Sequence, residues 1–261
     1  MTLTHIQPKL QEYPAELHNV ISGADLYDSS CSQEAKVVFI DKEQGFFLKS
    51  APKGSLAREA AMTQYFHCKG LSAEVCSFIS DERDWLLTRK IHGDDCTAEK
   101  YLEQPDRLAE TLGEHLACLH GLDYKDCPVL NHTEQYIKSV EFNKRSDNYD
   151  KSHFPDSFGY SSANEAWAVV ENHSDLLKTD TLLHGDYCLP NVIFNDWQFS
   201  GYIDLDNAGV GDRHVDLFWG AWTLWFNLKT DKYRQRFFDA YGRDIIDEEV
   251  LRVVAAAEVF G

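Results

Sequence analysis

The sequence predicts an α+β chain of two lobes, a small β-rich N-terminal lobe and a larger, mainly helical C-terminal lobe. Three observations carry that reading. Short β-rich runs dominate the chain as far as Thr88, leucines at helical spacing set in after it, and no internal repeat or low-complexity tract interrupts either part. The lobes are expected over 1–88 and 94–261, with a hinge at 89–93.

The elements follow in order. Lys36-Val37-Val38-Phe39-Ile40 and Gly45-Phe46-Phe47-Leu48-Lys49 are β-rich runs separated by the turn-like Asp41-Lys42-Glu43-Gln44. From Leu56 to Phe66 the apolar positions Leu56, Ala60, Ala61 and Tyr65 fall at helical spacing. Val75–Ile79 and Trp85–Thr88 read as a hairpin turning over Ser80-Asp81-Glu82-Arg83-Asp84. Leu108, Leu112, Leu116 and Leu119 then mark an amphipathic helix over 107–119. Residues 143–162 are polar and read as a loop or helical insertion. Leu182-Leu183 and Val192-Ile193-Phe194 read as short strands with Ile203 on the next, and the chain beyond Asp216 reads as helical with turns near Thr230-Asp231 and Tyr241-Gly242.

Lys+Arg number 25 against 43 Asp+Glu, a net charge of −18. A field of that sign repels nucleic acid and anionic membranes, so neither is an expected partner, and it favours a cationic small molecule; solubility alone accounts for it equally well. Seven cysteines form no C-x-x-C pair and are odd in number, which reads as reduced thiols in a cytoplasmic protein. The first eight residues have no basic region followed by an apolar core, so they do not read as a signal peptide. The apolar run from Leu217 to Phe226 spans ten residues, too short to cross a bilayer.

The chemistry is concentrated in His184-Gly185-Asp186-Tyr187-Cys188-Leu189-Pro190-Asn191 and in Tyr202-Ile203-Asp204-Leu205-Asp206. The spacing is that of the protein-kinase set H-R-D-x-x-x-x-N and D-F-G, with Gly185 in place of Arg and Leu205-Asp206 in place of Phe-Gly. Phosphoryl transfer needs a carboxylate at the reacting hydroxyl and oxygen ligands for Mg²⁺. Asp186 is the candidate base, and Asn191 and Asp204 are the candidate metal ligands. Asp206 reads as a surface turn residue. Lys49 ends a strand, with Glu59 on the following helix, the pairing by which kinases grip the ATP phosphates. The phosphate-covering loop lacks G-x-G-x-x-G; Asp28-Ser29-Ser30-Cys31-Ser32 stands there, and its backbone and hydroxyls, Ser32 among them, are the remaining phosphate contacts. Asp216 reads as a helix cap and His120 as a packed helix-end histidine.

Together these residues resemble the aminoglycoside phosphotransferase family, nearest to its 3′-phosphotransferases. The resemblance runs through Leu48-Lys49, Arg58-Glu59, Cys118-Leu119-His120, Asp126-Cys127-Pro128, His184–Asn191, Gly201–Asp204 and Gly211–Leu217. It implies a protein-kinase-like fold and ATP-dependent phosphorylation of an aminoglycoside hydroxyl, expected at the 3′ position, giving antibiotic resistance. It also implies Asp186 as base, Asn191 and Asp204 on magnesium, Lys49 with Glu59 on the phosphates, and the backbone of Arg89 and Ile91 against adenine. Asp216 would brace the catalytic loop. Glu258 matches an acidic position that binds the drug's ammonium groups, with Asp147, Asp150 and Asp156 as looser candidates.

The sequence departs from the family pattern where Asp206-Asn207 replaces the usual Gly-Arg, and where Ala257 replaces an acidic residue. Those departures motivate an alternative acceptor, an amino alcohol or sugar. The missing glycine loop motivates a third reading, a nucleotide-binding pseudokinase.

Overall fold

The computed structural model describes residues 4–7, 9–30, 35–149 and 158–261, in two compact units. The first comprises Met1–Gly93 with Ile193–Asp206, the second Asp94–Val192 with Asn207–Gly261.

The first unit is built on a six-stranded antiparallel sheet of β1 (Thr4–Ile6), β2 (Asp25–Asp28), β3 (Lys36–Asp41), β4 (Phe46–Pro52), β5 (Val75–Ser80) and β6 (Arg83–Arg89). Their order is β1-β2-β3-β4-β6-β5. Strand alternation divides the faces. Val38, Ile40, Phe46, Leu48 and Leu87 bury one face beneath Leu17 and Ile21, the latter from the short helix α1 (His18–Ile21). The other face carries Lys49 and Ala51, and there Ala51 and Leu86 pack against Leu56 and Ala60 at the start of helix α2 (Ala57–Cys68). The buried Asp84 on β6 accepts the Leu56 N–H at 2.9 Å, which fastens the start of α2 to the sheet.

Two sequence expectations shift here. The hairpin turn is tighter than expected, because Ser80 and Arg83 are already in the ladder. Ile203 lies just past the end of its strand, since pairing stops at Tyr202. The strands β1 and β2 were not read from the sequence at all.

The second unit contains Asp94–Asp95 (β7) and the helices α3 (Glu99–Leu102), α4 (Pro105–His120), α5 (His132–Ser146) and α6 (Ala163–His173). Strand β8 (Thr181–Leu183) follows, and after a return through the first unit come β11 (Gly209–Gly211), α7 (His214–Leu228), α8 (Arg234–Tyr241) and α9 (Glu248–Glu258). The intervening hairpin is β9 (Val192–Asn195) and β10 (Gln198–Tyr202), joined by Asp196 and Trp197, both at positive φ as a tight primed turn requires. The four leucines predicted for α4 are all buried, each contributing about 1.5–3 kcal/mol. The segment read as loop or insertion begins as the last turn of α5. Among the described residues no helix is long and apolar enough to cross a membrane.

Candidate active site

In the first unit, Lys49 is the hub. Its Nζ lies 2.8 Å from Glu59 Oε2 and 2.9 Å from Asp204 Oδ1. Burial alone would push the ammonium down, but Glu59 and Asp204 outweigh it and hold the pKa above its ordinary value. Glu59 is 6% exposed, and its burial raises its pKa against the pull of Lys49. Asp204 sits at φ +59, a left-handed conformation rare for a residue with a side chain and frequent at functional sites. Asp206 is half-buried, not a solvated turn residue; burial raises its pKa, and Arg58 and Lys49 act to lower it. The sequence reading missed this because the neighbours come from α2 and β4.

A stripe of aromatic rings crosses the Lys49 face. Phe47, two residues before Lys49, lies 5.2 Å from Phe39, which lies 6.2 Å from Tyr27. At the end of β6 the Arg89 N–H donates to Glu74 O at 3.0 Å, and its Nε donates to Glu74 Oε2 at 2.9 Å. Gly93, at φ +125, is required by close approach, since a Cβ there would stand 2.3 Å from the Phe194 carbonyl. Ser32 lies outside the described residues.

In the second unit, the antiparallel β8–β11 ladder sets the loop that carries Asp186 beside the segment that follows Asp206. Asn191 Nδ2 donates to Asp186 Oδ2 at 2.9 Å and to the Asp186 carbonyl at 3.0 Å, fixing the proposed base. With its nitrogen committed, the Asn191 side chain offers its oxygen. The loop is anchored by Tyr187, whose hydroxyl donates to Leu112 O at 2.9 Å, and by Leu189, whose N–H donates to Thr223 Oγ1. Gly185 has φ +84, and a Cβ on it would stand 1.9 Å from the Asn207 carbonyl. No other residue fits there.

Asp216 is not a helix cap. Arg213 precedes α7, while Asp216, fully buried in the first turn, turns back to the loop. Its carboxylate accepts the N–H groups of His184 at 2.8 Å and Gly185 at 2.7 Å, and the His120 ring at 3.1 Å. Burial opposes its charge, but His120 and the backbone donors hold the pKa below the ordinary carboxylate value. Burial keeps His120 neutral, and its other ring nitrogen meets Tyr241 Oη at 2.8 Å.

Of the acidic candidates for the acceptor, Glu258 is 8% exposed and its pKa is pushed up to about 7. Burial is the main cause and the nearby charge of Asp186 adds to it, against hydrogen bonds from Tyr136 and Trp219. The helix that carries it is held at its start by His214, which meets Asp212 at 2.6 Å and accepts the Asp247 N–H at 2.9 Å. Asp147 ends α5 in a left-handed conformation, its N–H donating to Asn143 O. Asp150 and Asp156 lie outside the described residues.

One unit holds a lysine between two carboxylates and the other an aspartate locked by an amide, residue types that phosphoryl transfer uses. The sequence profile of the phosphotransferase enzyme family matches residues 30–254, and the chain belongs to that family. It is 50% identical over 260 residues, 99% of each chain, to the "Probable aminoglycoside 3'-phosphotransferase" of Lactococcus lactis subsp. lactis (strain IL1403). It is 27% identical over 177 residues to an aminoglycoside 3'-phosphotransferase of Niallia circulans, covering 68% of this chain and 67% of that one. Among solved structures, the aminoglycoside-3'-phosphotransferase of type VIII superposes with a TM-score of 0.70 at 23% identity, over 96% of both chains. The Streptomyces rimosus enzyme APH(3'')-Id, in complex with ADP and streptomycin, gives 0.71 at 18% identity over 86% and 90%. The expected kinase-like α+β fold is the one found.

Proposed function

We propose that the protein transfers the γ-phosphoryl group of ATP to a hydroxyl of an aminoglycoside, the 3′-hydroxyl, and so inactivates the drug. The likeness to the Lactococcus lactis relative along 99% of both chains carries the reading. The Lys49 and Asp186 clusters support it, and a net charge of −18 suits a polycationic acceptor. Among the described residues Cys68, Cys76, Cys96, Cys118, Cys127 and Cys188 form no disulfide, which suits a cytoplasmic enzyme.

In this reading Lys49, held by Glu59, meets the nucleotide phosphates, and the aromatic face of Phe47 and Phe39 offers a surface for the adenine. The hinge backbone of Arg89 and Ile91 supplies polar contacts to its edge. Asn191 and Asp204 would hold Mg²⁺; an amide oxygen and a carboxylate are the hard donors that ion takes, alongside phosphate and water. When bound, the ion neutralises charge on the phosphates. Asp186 accepts a hydrogen bond from the acceptor hydroxyl and orients its oxygen toward phosphorus. The bond from the γ-phosphorus to the bridging oxygen breaks, the bond to the acceptor oxygen forms, ADP departs, and the hydroxyl proton passes to Asp186. Glu258, Asp147, Asp150 and Asp156 are the candidates to meet the ammonium groups.

Purified enzyme incubated with radiolabelled ATP and a panel of kanamycin, neomycin and simple amino alcohols tests this. Label on kanamycin at its 3′ oxygen is expected. Bound ATP with no drug modified refutes it, and faster turnover of an amino alcohol replaces the acceptor class.

A further inference from the structure

Glu258 is a carboxylate that the fold keeps out of water yet surrounds with donors. The Tyr136 hydroxyl donates to Glu258 Oε1 at 2.7 Å, and Trp219 hydrogen-bonds to the same carboxylate. Tyr136 stands on α5, with its ring stacked on His132 at 5.9 Å and 15°. Burial raises its pKa well above the ordinary phenol value, so the hydroxyl keeps the proton it can donate to the carboxylate. A carboxylate has room for about four hydrogen bonds, so two protein donors leave places for a ligand cation. Without donors, a buried carboxyl group takes up a proton instead of staying charged.

We propose that Tyr136 is a positioning residue that sets specificity for cationic acceptors, its hydroxyl holding the Glu258 carboxylate in one orientation. This rests on the reading of Glu258 as an acceptor contact. The hydroxyl touches neither nucleotide nor reacting atoms, so its effect falls on acceptor binding.

Steady-state kinetics with kanamycin and ATP on Tyr136→Phe, Glu258→Gln and the double variant test it. Tyr136→Phe keeps the ring and its stacking. It is expected to raise the kanamycin KM about tenfold while kcat stays within about twofold and the ATP KM is unchanged. Trp219→Phe, which removes the second donor, is expected to move the same parameter. The double variant is expected to be no worse than Glu258→Gln alone, because residues acting through one another are not additive. If Tyr136→Phe leaves the kanamycin KM unchanged while Glu258→Gln raises it, or if the two effects multiply, the positioning role is overturned and the acceptor reading of Glu258 stands. If Glu258→Gln itself leaves KM unchanged, the acceptor reading falls.

Discussion

Asp216 and Gly185 lie 31 positions apart and are joined by a 2.7 Å hydrogen bond from backbone N–H to buried carboxylate. With the parallel bond from His184, that contact ties the loop that carries Asp186 to α7. Asp216→Asn keeps the shape but removes the charge and turns an acceptor into a donor facing N–H groups. The expected loss is roughly 3 kcal/mol of stability with kcat down about tenfold or more, read by urea denaturation and turnover.

Gly185→Ala is expected to cost at least about 3 kcal/mol and to lower the melting temperature by roughly 6–12 °C, because φ is positive and the Asn207 carbonyl occupies the place of a Cβ. Scanning calorimetry measures it.

Asp186→Ala is expected to lower kcat by about 10²–10⁴ while leaving ATP binding in place, since no ligand group for the nucleotide is removed. Equilibrium binding of a fluorescent ATP analogue, measured beside turnover, separates the two. Loss of both together counts against Asp186 as base.

Lys49→Met removes a cation that neutralises Glu59 and Asp204. The ATP KM is expected to rise by about tenfold or more, with the kanamycin KM nearly unchanged. Initial rates over a grid of both substrates provide the comparison.

The raised pKa of Glu258, about 7, gives a sign for the pH dependence. Below that value the side chain is protonated, neutral and unable to attract an ammonium group; above it the charge is present. The kanamycin KM is therefore expected to rise about tenfold from pH 8 to pH 6, and Glu258→Gln to flatten that limb. An equal slope in both enzymes assigns the dependence elsewhere.

Much of this site was legible because its signals are local. Asp186 and Asn191 are separated by a fixed loop length, and Lys49 and Glu59 by the rest of β4, a short turn and the start of α2, so spacing carries the geometry. The strands from Lys36 to Thr88 announce themselves by β-branched and aromatic residues bounded by turns. What stayed hidden comes from pairing across long stretches of chain. Asp216 reads from its residues alone as a cap, because an aspartate starting a helix looks the same whichever way it faces. Tyr136 carries no signal that it meets Glu258 at the far end of the chain, and Asp206 gives none that it approaches Arg58 and Lys49. The need for glycine at 185 was visible as a substitution in a motif, but its cause, the carbonyl of Asn207 further along the chain, was not.

The fit of Asn207 against Gly185 makes these two positions a matched pair in space. An arginine introduced at 185, to mimic the enzymes that act on proteins, cannot be accepted until the turn over 206–208 is rebuilt. Any design that needs a larger side chain at 185 therefore has to begin with the turn.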